Sequence, residues 1–174
     1  MFLIKPLDSS KMLYGIIMKI KTTIILIILK SFCFGQSTKT LKDSLFQKGD
    51  IIKIPIIVYA LSKACCGGEQ IDSLKPVGEF LTHHKNFVIE IGCHTASYGS
   101  AEKNLILSDF RAKCVWDYLL YDYKLDSMKV KYKGYGETQL LIPEKIILKA
   151  KTENEKNKLH LINQRTELKV LEIK

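Results

Sequence analysis

No uninterrupted run of about 20 apolar residues, the length that spans a bilayer, occurs in this chain. The CxxC and HxxxH spacings of zinc sites are also missing, and no metal ligand set is expected. There is no Lys/Arg block interleaved with aromatic residues, which argues against nucleic acid as a partner. Internal repeats and low-complexity tracts are absent, which excludes solenoids and disordered arrays.

What is present fits one domain and a targeting segment within 174 residues. Lys19 and Lys21 precede an apolar run of eight, Thr22 to Leu29, and Cys33-Phe34-Gly35 places small residues where a signal peptidase reads them. Residues 1–35 are therefore expected to be a leader, with Met18 as a second candidate start. An uncleaved anchor built from Met12 to Leu29 is the alternative. A lipoprotein reading through Cys33 is disfavoured by the bulk of Phe32. The whole chain carries a formal net charge of +9, and without the leader 22 basic and 17 acidic residues leave +5. A mildly basic surface of this kind suits an anionic polymer or membrane surface.

The most informative stretch runs from Phe87 to Leu120. Phe87, Ile89 and Ile91 alternate with Val88 and Glu90, which predicts a strand. After Gly99-Ser100 the apolar period becomes 3.6. Leu107, Phe110 or Arg111, Cys114 and Tyr118 then mark one face of a long helix, with Val115 and Leu119 beside them. The polar loop between the two is where a scaffold would present a binding site.

Around this unit, residues 36–48 read as a linker and 49–174 as the domain. Ile51 to Tyr59 is β-branched and predicts a first strand, with Pro55 marking an edge or bulge. A helix is expected from Asp72 or Ser73, capped there, with Pro76 in its first turn and Leu74, Val77 and Leu81 as its stripe. A strand from Met128 to Lys133, a turn at Gly134-Tyr135-Gly136-Glu137, an irregular stretch from Leu140 to Lys151, a helix near Glu153 to Leu161 and a strand from Arg165 to Ile173 follow. The order β-α-β-α-β-(α)-β predicts an α+β fold, a two-layer sandwich with helices on one face of a mixed sheet.

Five ordered motifs carry a resemblance. His94-Thr95, Gly99-Ser100, Asn104 with Leu107-Ser108 and Arg111-Ala112, Lys133-Gly134-Tyr135-Gly136-Glu137, and Asn163-Gln164-Arg165-Thr166-Glu167 together resemble the signature of the OmpA-like peptidoglycan-binding domain. The resemblance implies a non-catalytic envelope domain, without cofactor, that binds peptidoglycan through its diaminopimelate-containing stem peptide. It also implies a periplasmic, outer-membrane-associated location in a Gram-negative bacterium, with other envelope proteins as further partners. Diaminopimelate bears a carboxylate and an ammonium on one carbon. By the resemblance, Arg111 grips the carboxylate, bidentately and always charged, with polar contacts from Asn104 and from backbone N–H groups around Thr95. His94, Gly99, Gly134, Gly136, Asn163 and Arg165 take structural roles.

Three positions depart from the pattern. Ala96 stands where the family has Asp, so the anion expected to meet the ammonium is missing. Glu102 is the nearest substitute by sequence, whereas Asp109 is expected to face solvent. Cys93 replaces a Gly and would narrow the pocket floor or change the turn, and Gln164 replaces an Arg. Losing the Asp opens a second reading, a degenerate OmpA-like module that binds protein instead of peptidoglycan. A thiol hydrolase built on Cys93-His94 is disfavoured, because His94 falls in the structural HT pair. Cys93 and Cys114 are expected to be small buried residues. Cys65 and Cys66 lie in a loop, where a vicinal disulfide or a bond to Cys93 is conceivable.

Overall fold

The computed structural model describes residues 37–54 and 72–174. The expected leader, Pro55 to Tyr59 and the Cys65-Cys66 loop lie outside the described residues. Five strands form one sheet: β1 (Thr38–Thr40), β2 (Ile51–Lys53), β3 (Phe87–His94), β4 (Val130–Gly136) and β5 (Thr166–Ile173). Four helices accompany them: α1 (Lys75–His83), α2 (Ala101–Tyr123), α3 (Glu144–Ile147) and α4 (Glu153–Asn163). The sheet order is β1-β2-β5-β3-β4. The β1–β2 and β3–β4 pairs are parallel, while β5 runs antiparallel to both β2 and β3. Helices on one face of this mixed sheet give the expected two-layer α+β sandwich.

The core lies between α1, α2 and the inner sheet face. Leu74, just before α1, and Val77 and Leu81 of α1 meet Ile89 and Ile91 of β3, Leu168 and Val170 of β5, and Val115 and Leu119 of α2. Each fully buried side chain of this size contributes about 1.5–3 kcal/mol. Period-two burial on β5 and period-3.6 burial on α2 bring these residues to one layer.

Local expectations shift in four places. Thr38–Thr40, within the stretch read as linker, pairs with β2 at the sheet edge. Helix α1 starts after Leu74 with no side-chain cap, so neither Asp72 nor Ser73 caps it; Pro76 does lie in the first turn. Strand β4 continues through Gly134-Tyr135-Gly136, which reads as a turn from sequence. The buried side of α2 is centred on Asn104, Ser108, Arg111, Ala112, Val115 and Leu119, leaving Phe110 57% exposed.

Cysteines also differ from expectation. Cys114 is disulfide-bonded and half-buried, so it is not a simple apolar filler. Cys93 keeps its thiol, buried with Sγ 3.2 Å from Thr166 Oγ1.

Candidate functional site

Strand β3 delivers Thr95 and Ala96 to the end of the sheet, and α2 begins a few residues later. Ser100 caps α2, its hydroxyl accepting from the Lys103 N–H at 3.3 Å. Between this loop, α2 and α4 lies a cleft of about 440 Å³. Thr95, Ala96 and Tyr98 line it from the loop, Asn104, Leu107 and Arg111 from α2, and Asn157, His160 and Leu161 from α4. A second cavity, of about 400 Å³ beneath Leu81, Phe87 and Leu125, contains none of the motif residues.

Arg111 is only 4% exposed, yet its side chain reaches the cleft. Ala96, 2% exposed, lines the same space and presents a methyl group there. The two positions that the sequence sets 15 residues apart are thus brought to one cleft by the turn from β3 into α2. Glu102 is exposed in the first turn of α2, does not line the cleft and is not tied to its loop by a side-chain hydrogen bond among the described residues. Asp109 is exposed as expected, with Oδ1 accepting from the Gly134 N–H at 3.2 Å.

Asn104 and Thr95 differ from their expected roles. The Asn104 amide nitrogen faces the Ala96 carbonyl at 3.2 Å, the Tyr98 carbonyl at 2.9 Å and the Glu137 carboxylate. Its two hydrogens are committed to the loop, so Asn104 shapes the cleft wall and does not offer its amide to a ligand. The Thr95 backbone N–H is likewise engaged, donating to the Gly136 carbonyl at 2.9 Å. Its hydroxyl, by contrast, is buried without a hydrogen-bond partner, as is Nδ1 of His160. No sequence motif pointed to His160; its ring packs against Tyr98 with centroids 3.9 Å apart. Cys93 does not line the cleft, because its side chain faces β5.

The remaining motif residues hold this geometry. His94 Nε2 lies 3.2 Å from Glu167 Oε1, and its ring stacks on Tyr135 with centroids 4.9 Å apart. Arg165 donates from Nε to Glu167 Oε2 at 2.9 Å and from a terminal nitrogen to the Gln139 carbonyl at 3.1 Å. Burial works to raise the Glu167 carboxyl, but the His94 hydrogen bond and the Arg165 charge outweigh it and hold the group below its ordinary value. The register between β3 and β4 slips between Cys93 and His94, leaving Tyr135 as the extra residue. Gly136 adopts φ +54°, and a Cβ on Gly134 would run into the Asp109 backbone. Asn163, fully buried, pins the segment before α3: its Oδ1 accepts from the Ile142 N–H and its amide donates to the Ile142 carbonyl, both at 2.9 Å.

A two-layer α+β sandwich with a part-polar cleft at one sheet end, holding a buried cation, defines a small ligand-binding domain. The particular family is given by comparison: a family model described as the OmpA family matches residues 68–158, and the chain belongs to that family. Solved structures share the fold. A MotB-like protein from Desulfovibrio vulgaris is 16% identical, with a TM-score of 0.52 over 64% of this chain and 65% of that one, so this chain spans just under two thirds of its length. The cell wall anchor of the T6SS from Pseudomonas aeruginosa is 20% identical, with a TM-score of 0.52 over 65% and 73% of the two chains. An outer membrane protein from Borrelia burgdorferi B31 is 22% identical, with a TM-score of 0.52 over 74% and 95%. Among the curated proteins none matches.

Proposed function

We propose that this chain is a non-catalytic envelope domain that binds peptidoglycan non-covalently through the diaminopimelate-containing stem peptide. The buried Arg111 beside the Thr95-Ala96 loop carries this reading. A guanidinium in a water-poor cleft is a strong and geometrically selective partner for a carboxylate. Membership of the OmpA family and a fold shared with a cell wall anchor support it. Residues 1–35 act as a removable leader, and the domain works in the periplasm next to the outer membrane. Ala96 weakens the complex, because a methyl group offers nothing to an ammonium.

A second reading follows from the same residue. Without the carboxylate, the cleft serves a protein partner of the envelope and the wall is not bound at all. Co-sedimentation of the purified protein with diaminopimelate-type sacculi separates the two. The wall reading expects the parent to pellet with sacculi and Arg111→Ala to stay in solution, a loss of at least about tenfold. A parent that remains in the supernatant refutes the wall reading and favours the protein partner.

A further inference from the structure

The missing carboxylate at Ala96 has a structural counterpart 48 residues away in sequence. Most acidic groups near the loop are already committed. Glu137 accepts from Asn104, Glu167 from His94 and Arg165, and Asp109 from the Gly134 N–H. Glu144 is placed differently. Ser97, the residue next to Ala96, donates its hydroxyl hydrogen to Glu144 Oε2. The other carboxylate oxygen makes no hydrogen bond among the described residues, and Glu144, which stands outside the cleft lining itself, is anchored beside Ala96 and acts on Tyr98, both of which line it.

Several features make Glu144 more than a waving surface charge. It is half-buried in the first turn of α3, whose Ile147 is fully buried, and the chain just before it is clamped at Ile142 by Asn163. Next door, Tyr98 lines the cleft and donates its phenolic hydrogen to Asn157 Oδ1 at 2.9 Å. Loss of hydration, followed by the Glu153 and Glu144 carboxylates and offset only in part by Lys156, keeps the Tyr98 phenol above its ordinary value. Two carboxylates, Glu153 and Glu144, thus act on the Tyr98 side of the cleft, opposite in sign to Arg111. Thr95 Oγ1 and His160 Nδ1 supply unsatisfied polar atoms around the same cleft.

We propose that Glu144, oriented by Ser97, supplies the anion for the ammonium of a ligand whose carboxylate is held by Arg111. This assignment rests on the wall-binding reading and names the residue that replaces the absent Asp. The cleft then recognises a zwitterionic amino-acid end, with its cation on α2 and its anion on α3.

The test titrates the purified protein with a stem tripeptide ending in meso-diaminopimelate, and with the same peptide acetylated on the free ammonium. Glu144→Gln keeps an oxygen acceptor for Ser97 and removes only the charge. It should bind the native tripeptide about tenfold more weakly than the parent and the acetylated one equally. That difference should shrink at about 0.5 M salt, where the Debye length falls to about 4 Å, and adding Ala96→Asp to Glu144→Gln should restore affinity. Ser97→Ala should shift binding in the same direction by less. Equal binding of the native tripeptide by Glu144→Gln and the parent overturns the assignment while leaving wall binding intact. An equal loss for both peptides at both salts also overturns it, since that marks a purely supporting role for α3. A parent that binds neither tripeptide nor sacculi overturns the assignment together with the wall reading.

Discussion

Replacing Ala96 by Asp returns a carboxylate to a position 2% exposed that lines the cleft with Arg111. Two effects oppose each other. In the complex, a charge-assisted hydrogen bond to the ligand ammonium is worth about 1.5–3 kcal/mol, or roughly ten- to a hundredfold in affinity. In the free protein, the new charge is desolvated, and Arg111 in the same cleft offsets only part of that cost. A net destabilisation of about 1–2 kcal/mol is expected, seen as a melting temperature lower by about 5 °C. The predicted signature is therefore tighter binding to diaminopimelate-type sacculi by a slightly less stable protein, measured by co-sedimentation and thermal denaturation side by side. If Glu144 already serves the same ammonium, the gain from Ala96→Asp should be smaller in the parent than in Glu144→Gln, because two carboxylates then compete for one cation. A protein that melts lower and gains no affinity refutes the reasoning, since residue 96 would then not face the bound ammonium.

Gly134→Ala places a Cβ against the Asp109 backbone and 2.6 Å from Ser108 Oγ, where β4 crosses α2. It should lower the unfolding free energy by about 3 kcal/mol in urea denaturation, and a loss under 0.5 kcal/mol would show that the two elements can separate freely. The Glu167 carboxyl, held below its ordinary value near 4.5 in the folded state, contributes stability that is complete above that value and is lost as pH falls through the lower folded value. The stability difference between the parent and Glu167→Gln should therefore narrow steadily on acidification from about pH 6 to pH 2; a difference that stays constant with pH would exclude this linkage.

On α2 the sequence could state a period but not its phase. Phe110 and Arg111 both fit a 3.6-residue repeat, and apolarity favours Phe110; the packed helix instead buries Arg111 and exposes the ring. Periodicity was unambiguous where a stripe was long and uniformly apolar, as for Leu74, Val77 and Leu81. Strand β1 had no such signal, being three residues with polar flanks whose order comes from pairing with β2. Glycines misled at β4, where Gly134 and Gly136 suggested a turn. There they allow a strand to approach a helix closely and pass a bulge.

Local chemistry written in order along the chain was enough to determine most of the elements, the fold class and the frame of motif residues around the cleft. Thr95, Ala96, Asn104 and Arg111 were legible because a single strand–loop–helix unit carries them. What only the tertiary structure decided depends on contacts between distant segments. Asn104 turned inward to hold the loop, His160 came from α4 to line the cleft, and Glu144 came to Ser97 across 47 residues. Charge acts through distance in space, and no spacing along a sequence reports the fold that sets it.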